Sequence, residues 1–522
     1  MEHDLPAAGG INVAYHTATY LFVFLPVILC VYQLAPQRTR WCILLLSGYV
    51  FIWTFSGKMA LWLAGTSLFT HYICLWISYA RERQPSACKK ILVFGILALL
   101  GVLGYVKYYN FFAANWNRIF AGSGVIAALQ PRTLLIPLGI SFYTLRAIGY
   151  MTDVYWKKAE VILHPGKTAL FLGFFPQIME GPISSYAQTA DALWAGEPIR
   201  AQNLSAGSVR IIWGLFKKLI IADRLSVLVS AVFDHYTEYH GAMVAVAAIA
   251  YTIQLYMEFS GCMDIVNGSA RLFGIRLPEN FRQPFFAEDA ADFWRRWHIT
   301  LGTWFRTYIF FPVSVSGITK KWNRFARRRF GKYMAKTGTL AIALFPVWLC
   351  NGLWHGPRWS YVFYGMYYFT ILFLETATEP LRNRILKRLH IRKEASWYKV
   401  IRIFRTWIVV FVGELFFRAE GLRIGMQMFR SMFEGFSFQQ LQDGMWLKMG
   451  LDQADYLAIS VGTAVVLIVG IIKETRGSGE CCLSNLRLPI RWVLYYGLIF
   501  SVVVFGAYGI GYEPVDLIYA GF

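Results

Sequence analysis

Charge is what this sequence has least of. Only 16% of its 522 residues are Asp, Glu, Lys or Arg, against about 25% in soluble globular chains. Apolar residues are abundant and spread along the whole length, which excludes intrinsic disorder. Cysteine is sparse, eight in all with no CxxC pair, so a disulfide-rich secreted scaffold is excluded too. Cys30, Cys42, Cys74, Cys262 and Cys350 sit in apolar stretches and read as small buried hydrophobes. Cys481 and Cys482 flank an apolar run, where lipidation is a second reading. Acidic residues are the scarcer sign, 30 against 51 basic, a formal net charge of +21. The basic residues cluster between apolar runs, and no recognition module is visible. Nucleic acid is therefore not an expected partner; the basic loops of a membrane protein account for the charge.

What is present is a series of apolar runs. A spanning helix needs about 20 predominantly apolar residues. Candidates are Ile11–Leu34, Trp41–Phe55, Ala60–Tyr79, Ile91–Tyr105, Leu134–Met151, Val209–Phe233, Ala242–Phe259, Thr339–Trp354, Tyr361–Thr376, Ile401–Phe417, Tyr456–Ile472 and Trp492–Ile510. Roughly 11 or 12 spans are expected. Ala169–Ile178 and Leu301–Val313 are too short to span and read as re-entrant or protein-enclosed pieces. The first run contains Pro26 and lacks a basic leader and a small-residue cleavage site, so it reads as a span rather than a signal peptide. The expectation is one polytopic all-α membrane domain over 1–522, with no soluble domain. Glu2 and Asp4 precede the first run, and Arg38 and Arg40 follow it. The charge rule then predicts an extracytoplasmic N-terminus, inner loops at Arg81–Lys90 and Asp153–Lys167, and an outer loop at Asp234–His240. Lys320, Lys321, Arg324, Arg327, Arg328, Arg329, Lys332 and Lys336 follow one another with no intervening acid. Arg382, Arg384, Lys387, Arg388, Arg392 and Lys393 form a second basic segment. Contact with anionic membrane lipids is the plain reading of both; a docking face for an acidic carrier or a nucleotide donor is the sharper one.

The chemistry narrows to two of nine histidines. His298 ends Phe293-Trp294-Arg295-Arg296-Trp297-His298, a composition unsuited to lipid. Arg in such a segment suits phosphate or carboxylate. His355 ends an apolar run in Asn351-Gly352-Leu353-Trp354-His355-Gly356-Pro357, and an ionisable group at membrane depth points to a functional site. A helix-end cap at the interface is the plainer alternative. No metal pattern, P-loop, Rossmann fingerprint or GxSxG elbow accompanies either. What remains is a histidine acting as general base on an external hydroxyl, with a second polar group nearby. Glu258, Asp264, Glu375 and Glu414 lie in or beside apolar runs. Such acids suit a proton-coupled transporter, or else pair with a neighbour such as Arg271 or Arg306.

Five blocks in order carry a family resemblance: Phe174–Ile183, Glu258–Asp264, Leu277–Phe285, Asp292–Tyr308 and Asn351–Gly356. They resemble the membrane-bound O-acyltransferase (MBOAT) family, its bacterial alginate O-acetyltransferase branch and more distantly its teichoic-acid D-alanyltransferase branch. The likeness covers about residues 15–420; the spans of 421–522 match less well, and the tail Asp516–Phe522 only partly resembles the family's aromatic ending. Glu258, Cys262 and Thr307 depart from the family pattern. The resemblance implies a multi-span helical bundle with re-entrant segments and a thin centre, where two funnels meet at the histidine matching His355. His298 matches the second family histidine. The implied activity is acetyl transfer from a cytoplasmic thioester to an extracytoplasmic hydroxyl, with His355 as general base. His298 or Asn351 would stabilise the oxyanion. Trp294, Arg295, Arg296, Trp297, Trp304 and Arg306 would bind the donor. No resident cofactor or metal is implied; acetyl-CoA or an acyl-carrier thioester would be co-substrate. The implied partner is an extracytoplasmic SGNH-type protein that passes the acetyl group to a cell-wall or secreted polysaccharide, and the implied location is the inner (plasma) membrane. Alternatives are D-alanyl or other acyl transfer from a carrier protein, a transporter or flippase for a lipid-linked precursor, and a scaffold for polymer secretion.

Overall fold

The computed structural model describes residues 14–120, 128–476 and 486–508. Glu2 and Asp4, Cys481 and Cys482, and the tail Asp516–Phe522 lie outside the described residues. Among the described residues every regular element is helical, as expected of an all-α integral membrane protein. Six helical stretches are long and apolar enough to cross a membrane: Gln37–Arg83, Pro85–Phe120, Ala242–Leu272, Gly331–His355, Gln453–Arg476 and Leu488–Phe505. That is fewer than the sequence runs suggest. Most of the other expected spans also form helices, but shorter or more polar ones. Leu134–Met151 becomes the helix Ile140–Tyr155, because Pro137 and Gly139 (φ 73°) delay its start. The outward faces are lipid-like: Val493 is 71% exposed and Phe500 60%, a surface that water would not tolerate at this density.

The described residues gather into two compact units. The first draws on Met1–Leu215 and Gly261–Pro278. At its heart is Ile140–Tyr155, buried on every side from Ile140 to Val154, its polar Ser141, Thr144, Arg146, Thr152 and Asp153 included. It packs on Ala60–Arg83 and Cys88–Phe120. The block Phe174–Ile183 forms a wholly buried turn, pinned by the Tyr15 hydroxyl donating to the Phe175 carbonyl at 2.7 Å. Buried Arg146 donates to the Phe171 and Leu172 carbonyls at the end of the helix Pro165–Gly173, where a cation offsets unpaired carbonyls.

The second unit draws on Phe216–Ser260 and Glu279–Val515 and holds both singled-out histidines. Its frame is the antiparallel pair Gly331–His355 and Trp359–Ala377, flanked by Ser396–Arg418. A π-helical turn at Phe216–Ala222 carries two buried lysines. Lys218 bridges Asp223 at 2.7 Å and Glu258 at 3.4 Å, and Lys217 donates to Ser260 at 2.9 Å. Arg224 reaches Asp455 at 2.8 Å and the Phe505 carbonyl at 2.7 Å, tying on the last two described helices.

Candidate active site

Gly331–His355 ends where the sequence says it must: Gly356 adopts φ 155° and ψ 174°, a glycine conformation, and Pro357 follows. Its last turn is pressed against Trp359–Ala377. A Cβ on Gly352 would collide with the Tyr361 carbonyl oxygen, and one on Gly365 with that of Trp348. The two backbones therefore meet directly. That contact brings the stripe Tyr361, Tyr364 and Tyr368, spaced at three and four residues, onto the inner face. His355 is 3% exposed. Its ring lies 5.9 Å from Tyr364 and 6.2 Å from Tyr361, with Phe417 of the flanking helix edge-on at 4.9 Å. Asn351 sits one turn earlier on the same helix face, and its buried Oδ1 has no hydrogen-bond partner among the described residues.

His298 arrives on a different segment. Residues 279–305 enter as a loop with two short helices, Ala290–Arg296 and Ile299–Phe305, too short to span. At the joint His298 takes the left-handed conformation, φ 46° and ψ 48°, a strained choice for a residue with a Cβ. Asn280 holds the joint. Its backbone oxygen accepts from Ile299 N at 3.0 Å, and its Oδ1 accepts from Thr300 N at 3.1 Å and Thr300 Oγ1 at 2.9 Å. Because a backbone N–H can only donate, the Asn280 atom facing it is the oxygen. The same oxygen lies 3.3 Å from His298 Nδ1. Nδ1 therefore carries the proton, and Nε2 is the lone-pair nitrogen of the neutral ring.

The two imidazoles meet across one indole. His298 lies 5.5 Å from Trp354 and His355 5.0 Å from it, ring centre to ring centre. Phe259 packs edge-on against His298 at 4.9 Å. The sequence thus finds His298, His355 and Asn351, and the structure gathers all three in one unit. Tyr364, Phe417, Phe259 and Asn280 complete the enclosure. Of these, Tyr364 in the tyrosine stripe, and Phe259 and Asn280 in two of the resemblance blocks, leave a local sequence signal; Phe417 does not.

The remaining singled-out residues divide. Trp294 stacks edge-on against Trp348 and Tyr368, each at 4.8 Å, so it belongs to the aromatic wall. Trp297 is buried against Phe293 and Phe281, at 5.4 and 5.0 Å. Trp304 packs on Tyr308 at 5.1 Å. Arg296 is engaged by Asp292 at 3.0 Å and Glu474 at 2.9 Å; Arg295 is exposed and reaches Asp292 at 3.4 Å, and Arg306 is exposed.

The intramembrane acids are paired, but not with Arg271 or Arg306. Asp264 pairs with Arg210 at 2.9 Å, Glu258 with Lys218 and Glu375 with Arg405 at 2.9 Å. Buried Glu414 instead accepts from the Tyr364 hydroxyl at 2.9 Å. Linear distance hides these partners: Asp264, Glu258 and Glu375 each meet a cation, and Glu414 a hydroxyl, on a segment that only folding brings beside it. A string of unpaired acids, the transporter signal, is not what the structure contains among its described residues.

Comparison with known proteins gives the family. The model of the MBOAT, membrane-bound O-acyltransferase family matches residues 161–413. The chain is 33% identical over 458 residues to the probable alginate O-acetylase AlgI of Pseudomonas aeruginosa, covering 87% of this chain and 80% of that protein. It is 27% identical over 452 residues to the peptidoglycan O-acetyltransferase of Helicobacter pylori, covering 80% and 79%. Likeness to the teichoic acid D-alanyltransferase of Bacillus subtilis is 27% over 305 residues, covering 54% and 73%. With its buried histidine pair, helical architecture and this similarity over most of its length, the chain belongs to the membrane-bound O-acyltransferase family.

Proposed function

We propose that this O-acyltransferase moves an acetyl group from acetyl-CoA on the cytoplasmic side to a hydroxyl on the other side. The observation that carries the reading is the pair of buried imidazoles sharing Trp354, with Asn351 one turn away. His355 takes the proton of the acceptor hydroxyl as its oxygen attacks the thioester carbonyl. The carbon–sulfur bond then breaks, and the proton passes to the departing thiolate. General-base help of this kind contributes typically about 10²- to 10⁴-fold. The oxyanion needs a donor. Neutral His298 presents a lone pair at Nε2, so the Asn351 amide is the better candidate for that role.

Two features support the direction of transfer. Both basic segments lie near one end of the second unit, where the Tyr333 hydroxyl donates to the Ala377 carbonyl at 2.5 Å, and basic ends face the cytoplasm. Arg295 is exposed on the segment that runs inward from that end to His298, where Ala290 N meets Glu375 at 3.2 Å. The acceptor is a polysaccharide hydroxyl, reached directly or through the serine of an SGNH-type partner; the named activities of the alginate and peptidoglycan relatives support a polysaccharide.

The test is transfer of labelled acetyl from acetyl-CoA in membranes carrying the chain, wild type against His355→Ala at equal protein level, with and without an extracytoplasmic partner. Label on a partner or glycan only with His355 intact is the expected result. Equal labelling in both removes His355 from the chemistry. No label in either leaves a carrier-bound or different acyl donor, or a transport role, and the donor is then varied.

A further inference from the structure

The helix Gly317–Arg329 lies immediately before the His355 helix. Ser316 caps it, its hydroxyl accepting from Thr319 N at 3.3 Å. One face is fixed to its neighbour: Thr319 and Ala326 are buried, and Asn323 donates to Thr339 at 3.2 Å. A Cβ on Gly338 would strike the Trp322 indole, so the two helices are locked rather than loosely apposed. The other face is open. Lys321, Arg324, Phe325, Arg328 and Arg329 line a groove of about 480 Å³. Apolar side chains accompany the cations: Ile318 is 73% exposed, Phe325 57% and Phe330 55%.

This groove stands apart from the acyl-transfer site. It lies beside the start of a 25-residue helix that ends at His355, a length of about 37 Å at 1.5 Å per residue. A soluble nucleotide or an acidic protein would satisfy the cations and leave the aromatic and branched side chains in water. An anionic phospholipid satisfies both, with phosphate against the guanidinium forks and acyl chain against the apolar groups. We propose that Lys321, Arg324, Arg328 and Arg329 form a head-group site for an anionic phospholipid of the cytoplasmic leaflet, with Phe325 and Ile318 set into the acyl boundary.

The test is lipid retention by the full chain, purified and offered mixed micelles of phosphatidylglycerol or phosphatidylcholine and read by native mass spectrometry. Wild type is expected to keep phosphatidylglycerol in preference to phosphatidylcholine. Substituting all four cations by Gln should abolish the preference, a loss of about fivefold per cation. Substituting the three arginines by Lys, which keeps the charge and controls for folding, should preserve most of it. Phe325→Ser should weaken retention of the lipid without affecting binding of free glycerol phosphate. Equal retention of the two lipids by wild type, or a preference unchanged in the Gln variant, overturns the proposal. Displacement of the lipid by equimolar soluble CoA overturns it as well, because the groove would then serve a soluble anion.

Discussion

Asn280 decides which nitrogen of His298 is basic. Its side-chain oxygen is fixed by the Thr300 amide, so the imidazole facing it must donate from Nδ1. That removes His298 Nε2 as a donor and leaves the Asn351 amide, one helical turn before His355, as the proposed one, which leads to a prediction. Asn351→Ala should lower kcat by about 10²- to 10³-fold with KM little changed, measured as initial rates of acetyl transfer. A loss no larger than that of a surface Asn→Ala control would remove it from the mechanism. Glu414 provides a second prediction. It holds the Tyr364 hydroxyl, and Phe417 on the same helix packs against both Tyr364 and His355. Glu414→Gln, which retains an acceptor, should leave the rate within about twofold. Glu414→Leu and Tyr364→Phe should each lower it by about tenfold or more. The double variant should be no worse than either alone, because both changes remove one interaction. Additive losses would show that the two act separately. Sequence reading singled out Glu414 as an acid in an apolar run but did not find its partner, because Tyr364 lies 50 residues away on another helix.

At the scale of elements, the helix pair Gly331–His355 and Trp359–Ala377 depends on two glycines. No side chain fits at Gly352 or Gly365 without striking a backbone oxygen. Gly352→Val should therefore separate the helices and displace the tyrosine stripe. Overpacking of this kind costs about 1–3 kcal/mol. The expected observation is a lower melting temperature by fluorescence-detected size exclusion, together with loss of activity; unchanged melting would mean that the helices slide to accommodate it. The apolar runs foretold where most helices lie. They did not foretell where each helix begins, because Pro137 and Gly139 delay the start of Ile140–Tyr155 at a point that hydropathy averages away.

At the scale of the molecule, charge inside the apolar bulk is managed by pairing. Lys218, 1% exposed, sits between Asp223 and Glu258. Removing it leaves two buried carboxylates without their cation. Lys218→Met should destabilise the protein by about 3–5 kcal/mol, the usual cost of breaking a buried pair from one side. Adding Asp223→Asn and Glu258→Gln should restore most of it. Thermal unfolding in detergent checks both; a single variant as stable as wild type would mean that the cluster is hydrated. The same logic bears on the two readings the sequence left open for the intramembrane acids. An isolated acid in a hydropathy profile resembles a proton site until folding supplies its partner.

The sequence by itself determined the class, the family and the histidines. Scarce charge and long apolar runs are sums over many residues, and the blocks around His298 and His355 are contiguous, so each is legible along the chain. Only the tertiary structure decided what those histidines are next to. Trp354 packed against both rings, Asn280 fixing a tautomer, Tyr364 held by Glu414 and Arg296 engaged by Glu474 are all products of segments distant in sequence meeting. A burial requirement constrains how apolar a segment is. It does not name the segment across from it, and electrostatic pairing acts over a few ångströms of space rather than along the chain.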